Sequence, residues 1–112
     1  ANPVYTLRAG GLFAGLIGFK SADPACGSIE IGYWLREEFQ HRGIVTAAVQ
    51  ELRRIAFERL GMLRIEIRCA TGNLPSNRIP QRLGMRLDRV EKQAELLSSG
   101  ERIDLNVYVA EK

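Results

Sequence analysis

Residues 28–70 limit what this 112-residue chain can fold into more than any other stretch. Ile29, Ile31 and Tyr33 alternate with Glu30, Gly32 and Trp34, the period of a strand over 28–35 whose two faces meet different surroundings. From Ile44 the period becomes helical. Ile44, Ala48, Leu52 and Ile55 form one stripe, widened by Val45, Val49 and Ala56, and Gln50, Arg53, Arg54 and Glu58 fall on the other side. The pattern predicts a helix over 44–60, stopped by Gly61, with Arg54 and Glu58 placed to pair on its wet face. Over 64–70 the alternation returns, Ile65, Ile67 and Cys69 inward and Arg64, Glu66 and Arg68 outward. Two strands joined through a helix of this length run parallel, with a right-handed crossover.

The turn into the helix carries the chemistry. Gln40-His41-Arg42-Gly43-Ile44-Val45-Thr46 leads from a charged loop into the first helical turn. A helix start leaves about four N–H groups without partners, and its dipole places positive potential there. Gly43 lets a ligand approach the backbone, and Arg42 adds a fixed positive charge. The turn reads as a pyrophosphate cradle.

The flanking segments supply further strands. Residues 4–8 are rich in β-formers, and Ala9-Gly10-Gly11 is a turn. Residues 12–20 are nearly all apolar, as in a strand covered on both faces, with Gly15 and Gly18 marking a bulge or a close neighbour. Asp23-Pro24 and Gly27 make 21–27 a loop, as is 71–75. A short helix runs from Ser76 to Leu83-Gly84, and 86–97 and 101–110 form a hairpin turning at Ser98-Ser99-Gly100. The fold class is α/β: a mixed, mostly antiparallel sheet around a central parallel β-α-β unit, in a single domain spanning 1–112.

Composition narrows the partners. A net charge of +3 favours an anionic ligand or an acidic partner, but the charges are interspersed, so no nucleic-acid stripe is expected. Cys26 and Cys69 are expected as free thiols in a reducing cytoplasm, and no Cys/His cluster has metal-ligand spacing, so no metal is expected. No apolar run reaches the ~20 residues of a membrane helix, and no signal peptide is expected.

With these residues in place, the chain resembles the GCN5-related N-acetyltransferases, and among them the RimL type that acetylates the N-terminal serine of a ribosomal stalk protein. Five blocks carry the resemblance in order: Glu30-Ile31-Gly32-Tyr33-Trp34-Leu35; Gln40-x-x-Gly43-Ile44; Asn73-x-x-Ser76-Asn77; Leu83-Gly84-Met85; and Lys92-Gln93-Ala94-Glu95 with Gly100 and Asp104 to Tyr108. The resemblance implies acetyl-coenzyme A as donor, its pantetheine between splayed strands 28–35 and 64–70. It implies main-chain contacts near Trp34 and Leu35, pyrophosphate contacts at Gln40, His41, Arg42, Gly43, Ile44, Val45 and Thr46, and a pantetheine contact at Asn73. It matches Glu95 to the general base and Ser76 to the general acid. The acceptor is a protein N-terminal amine, with ribosomal protein favoured. The family often dimerises, so a homodimer is among the expectations.

The residues themselves admit simpler roles. Ser76 is also an N-cap for the helix that follows, Glu95 a solvated strand carboxylate, and His41 an exposed residue lending only its N–H. Tyr33 and Trp34 are more often packing residues than substrate contacts. The chain departs from the family at three places. Val45 stands where a smaller residue is common, Pro80 interrupts the helix after Ser76, and the family's first strand and helices, one wall of the acceptor cleft, are missing ahead of Val4. Beside acetylation of a protein N-terminus stand a small-amine acetyltransferase, for a polyamine or an aminoglycoside, and a coenzyme A-binding module without catalysis.

Overall fold

The computed structural model describes residues 4–40 and 43–112. Among them, six strands and two α-helices follow one another: β1 Val4–Ala9, β2 Leu12–Asp23, β3 Ser28–Leu35, α1 Ile44–Glu58, β4 Arg64–Ala70, α2 Leu74–Arg82, β5 Arg86–Leu96 and β6 Arg102–Glu111. The strands form one sheet in the order β1-β2-β3-β4-β6-β5. Of these neighbours β3 and β4 pair in parallel, and the rest are antiparallel hairpins or returns. The predicted mixed sheet around a β-α-β unit is therefore the observed one.

Gly15 has the close neighbour its position suggested. A Cβ there would lie 2.1 Å from the Trp34 carbonyl oxygen, so only glycine lets β2 run against the end of β3. β2 continues to Asp23, three residues past the predicted end at Lys20, because a bulge between Phe19 and Ser21 lets Ala22 and Asp23 still pair with β3.

One face of the sheet packs on α1. Val45, Val49, Leu52 and Ala56 are buried against Ile17, Phe19, Ile29, Ile31, Ile65 and Ile67. Each large aliphatic chain so covered contributes about 1.5–3 kcal/mol. The buried line thus runs through Val45, Val49 and Ala56, expected only to widen the stripe, with Leu52 from the stripe itself; Ile44, Ala48 and Ile55 are half-buried at its edge. Arg54 pairs with Glu51, three residues away, rather than with Glu58.

The other face carries an ion-pair lattice instead of a second helical layer. Arg68 reaches Glu66 at 2.9 Å, Glu91 at 2.9 Å and Glu30 at 3.2 Å, and Arg64 reaches Glu66 and Asp88, each at 3.2 Å. The outward set of β4 is therefore half-buried among carboxylates. Among the described residues no helix is long and apolar enough to cross a membrane.

Candidate active site

The parallel pair opens as it runs. Ser28, Ile29 and Glu30 pair with Arg64, Ile65 and Glu66, and the pairing stops there, leaving the facing edges of 31–35 and 67–70 apart. Unpaired backbone donors and acceptors along such a gap need partners. α1 begins beside its upper end.

The entrance to α1 is open. Gly43 is the N-cap in the left-handed region, at φ 73°, and no side chain caps the helix among the described residues. A Cβ built on Gly43 would meet nothing within 4 Å, so space lies directly over the first helical turn. Val45 turns into the core at 2% exposure and leaves that space clear. The unpartnered N–H groups and the dipole of α1 face it.

A cleft of about 200 Å³ fills this corner. Tyr33, Trp34, Leu35, Gln40, Gly43, Ile44, Val45, Thr46, Asn73 and Ser76 line it, so the expected donor contacts converge from three elements. His41 and Arg42 lie outside the described residues. Arg78, Ile79 and Arg82 complete the wall from α2. The sequence reading missed both arginines; a four-residue spacing on a helix following the Asn73-x-x-Ser76 block was the available signal.

Ser76 does not cap α2. The helix starts two residues earlier, at Leu74, and Asn73 is the cap: its Oδ1 accepts from the Ser76 N–H at 3.2 Å. Ser76 instead stands in the first turn, with no hydrogen bond from its hydroxyl among the described residues. Pro80 does not displace it. Lacking an N–H, Pro80 leaves the Ser76 carbonyl without its helical donor. The Tyr33 hydroxyl donates to that oxygen at 2.9 Å and the Cys69 thiol at 3.4 Å. The helix runs through Pro80 to Arg82. Burial pushes the Tyr33 phenol far above its usual range, helped by Cys69, and burial likewise raises the Cys69 thiol, so both stay protonated donors. Cys26 and Cys69 are unlinked.

Asn77 holds α2 in place. It is 4% exposed, donates to the Ala70 carbonyl at 2.9 Å and the Asn73 carbonyl at 2.7 Å, and accepts from Asn106 and Tyr108, each at 2.9 Å. One amide thus ties the cap, the end of β4 and the middle of β6 together, with all its capacity used.

Glu95 is in a different place. It lines a groove on the open face of the sheet with Lys20, Glu30, Gly32 and Arg68, and Tyr33 and Trp34 line both this groove and the cleft. Ser76 and Glu95 therefore flank the gap from opposite faces. The aim of Glu95 is set by a bulge. Between Glu91, opposite Leu105, and Glu95, opposite Ile103, β5 holds more residues than β6. Gln93 takes φ 48°, and its N–H donates to Asp104 Oδ1 at 2.8 Å. That bond, with Lys92 adding to it, holds the Asp104 carboxyl below its usual range.

The charges on the two sides differ. Among the described residues the cleft is lined by Arg78 and Arg82 and by no acid, whereas the groove holds Glu30 and Glu95 beside Lys20 and Arg68. Glu30 is 12% exposed at its side chain and is ion-paired, to Arg68 at 3.2 Å and Lys20 at 3.6 Å. One side suits an anion; the other offers carboxylates to a cation.

Comparison with known proteins agrees with this arrangement. Residues 3–86 match the acetyltransferase (GNAT) domain family. The YdaF protein of Bacillus subtilis, which carries a provisional ribosomal N-acetyltransferase name, is 37% identical over 98 residues, covering 88% of this chain and 53% of its own length. The ribosomal-protein-serine acetyltransferase of Escherichia coli is 36% identical over 94 residues, 84% of this chain and 52% of its own. A RimL ribosomal L7/L12 α-N-protein acetyltransferase solved with coenzyme A superposes with a TM-score of 0.86 at 32% identity, covering 96% of this chain and 60% of the other. The chain spans about half the length of the curated relatives it matches. With the splayed strands, the open helix entrance and the matched domain all in agreement, this chain belongs to the GCN5-related N-acetyltransferase (GNAT) family.

Proposed function

We propose that the chain is an acetyl-coenzyme A-dependent N-acetyltransferase, acting in the cytoplasm on the N-terminal α-amine of a protein, of the ribosomal-protein-serine type. The reading treats 1–112 as one acetyl-transfer domain. The observation that carries it is the gap between β3 and β4, which has an anion-suited helix entrance on one face and a carboxylate-bearing groove on the other. Similarity to enzymes named for ribosomal-protein acetylation supports the acceptor.

The residues present fit such a donor. The open space over Gly43 and the uncapped N–H groups of α1 would receive a pyrophosphate, and the unpaired edges of β3 and β4 would pair with an amide-bearing arm, Asn73 adding a side-chain contact. When bound, acetyl-coenzyme A supplies an activated thioester. The acceptor nitrogen attacks its carbonyl carbon, the carbon–sulfur bond breaks, and a proton leaves the nitrogen. Glu95 takes that proton through water, Ser76 gives one to the departing thiolate, and a strand N–H near Leu35 steadies the oxyanion. Little is demanded of the base, because an α-amine, with a pKa near ~7.7–8.0, is partly neutral at pH 7, unlike a lysine near ~10.4.

The test is thiol release from acetyl-coenzyme A with peptides beginning with serine or alanine, beside a panel of polyamines and aminoglycosides. Release with the peptides is expected, and Glu95→Gln should lower kcat by about 10²-fold or more while leaving donor affinity intact. Turnover only with the small amines would replace the acceptor. Donor binding with no turnover on either panel would leave a coenzyme A-binding module.

A further inference from the structure

The groove beside Glu95 already holds a cation of its own. Lys20 stands at the bulge in β2: Phe19 faces Ile31 and Ser21 faces Glu30, so the register leaves Lys20 over. Its stem lies across β3 at Gly32, where a Cβ would come 2.3 Å from Lys20 Cδ and 2.6 Å from its Cγ. Only glycine leaves the stem this path over the strand. Lys20 Nζ ends 3.6 Å from Glu30 Oε2, with the Lys20 side chain 61% exposed and that of Glu30 12%. A pair this long, with one partner this open, adds little stability. What Lys20 supplies is a positive charge inside the groove.

The balance of charge shows what that does. Among the described residues, the charged groups lining the groove are Lys20, Arg68, Glu30 and Glu95. Arg68 is shared among Glu30, Glu66 and Glu91, so it does not neutralise Glu30 alone, and Lys20 makes up the difference. Glu95 makes no ion pair among the described residues. The groove therefore presents one unbalanced carboxylate, a match for one ammonium group. A polycation gains at each unbalanced carboxylate and loses at each like charge. We propose that Lys20 is a charge filter: by occupying Glu30 it restricts the groove to an acceptor with a single ammonium group and turns away polyamines and aminoglycosides. This rests on the reading that the groove receives the acceptor, and adds to it the choice of acceptor class.

Thiol release with spermidine, beside a serine peptide that has no other basic residue, tests the filter. The wild-type chain should favour the peptide. Lys20→Met keeps a stem over Gly32 and removes the charge; with folding checked by circular dichroism, it should raise the ratio of kcat/KM for spermidine to that for the peptide by about tenfold or more. The rise should come chiefly through the KM for spermidine and shrink at high salt, where an exposed charge is screened. Lys20→Arg, which keeps the charge, should keep the wild-type ratio. A ratio unmoved by Lys20→Met, an equal gain on both substrates, or a wild-type chain that uses spermidine as well as the peptide would overturn the filter; the equal gain would make Lys20 a steric plug. No turnover of either substrate by wild type would defeat the acetyltransferase reading instead. Calorimetric titration with spermidine would then decide the filter by itself: tighter binding to Lys20→Met than to wild type supports it, and equal binding overturns it.

Discussion

The Ser76 carbonyl shows how one residue's missing hydrogen bond organises a site. Pro80 removes the donor, and Tyr33, from β3, replaces it at 2.9 Å. This crosses the strand gap and joins the element after β4 to the one before α1. Tyr33→Phe would leave that carbonyl only the weak Cys69 thiol at 3.4 Å. A buried acceptor losing its strong donor costs about 1–3 kcal/mol. Urea unfolding of the variant should therefore show a lower midpoint at unchanged slope, and coenzyme A should bind more weakly because the first turn of α2 loses its tether. An unchanged midpoint would mean that the Tyr33 hydroxyl contributes nothing to holding α2.

At the scale of elements, the proposed function depends on two places where regular pairing stops. One is the α1 entrance, where Gly43 takes φ 73° and leaves its N–H neighbours exposed to the cleft. Gly43→Ala meets no clash there, so its stability cost is that of a side chain in the left-handed region, about 1–2 kcal/mol. Its larger effect should be on the donor, since the added methyl projects into the space proposed for the pyrophosphate. Thermal unfolding and coenzyme A titration separate the two, with a several-fold loss of affinity expected beyond the modest stability change. Affinity equal to wild type would argue against close backbone approach at this turn. The other place is the β5 bulge just before Glu95, where the Gln93 N–H donates to Asp104 across to β6.

Over the whole molecule, the sheet is held by an apolar layer on one face and charges on the other. β5 is exposed along almost its full length, so it depends on β6 and on the lattice around Arg68, Arg86 and Arg89. Arg68, then Arg89, hold the Glu91 carboxyl below its usual range against the opposing effect of burial; Arg89, then Arg86, do the same for Asp88. A carboxyl with a depressed folded pKa adds stability that is complete above its unfolded value, near ~3.9 for Asp and ~4.3 for Glu. That stability is lost as the pH falls through the depressed value. Stability should therefore stay level from pH 7 to about 5 and fall below about 4. Glu91→Gln should flatten the acid limb, and high salt should reduce it where the pairs are exposed. An acid limb identical in the variant would show that the lattice is not its source.

Much of this protein was written in local patterns. Alternation of period two marked the strands at 28–35, 64–70 and the chain's last strand, a helical stripe marked α1, and the polar turn at Gly43 suggested an anion-binding entrance, because side-chain direction and turn chemistry depend on near neighbours in the chain. Most residues lining the cleft were legible for the same reason, since they lie on one short strand–turn–helix run. Distant contacts decided the rest. Asn73 rather than Ser76 caps α2, Asn77 locks it to β6, and Tyr33 takes the carbonyl that Pro80 releases, each depending on a partner that only folding supplies. The same is true of Ser76 and Glu95 facing the gap from opposite sides, and of the unpaired Arg78 and Arg82 in an acid-free cleft. A sequence states which charges a chain carries, but which of them meet a counter-charge is settled only when its elements pack.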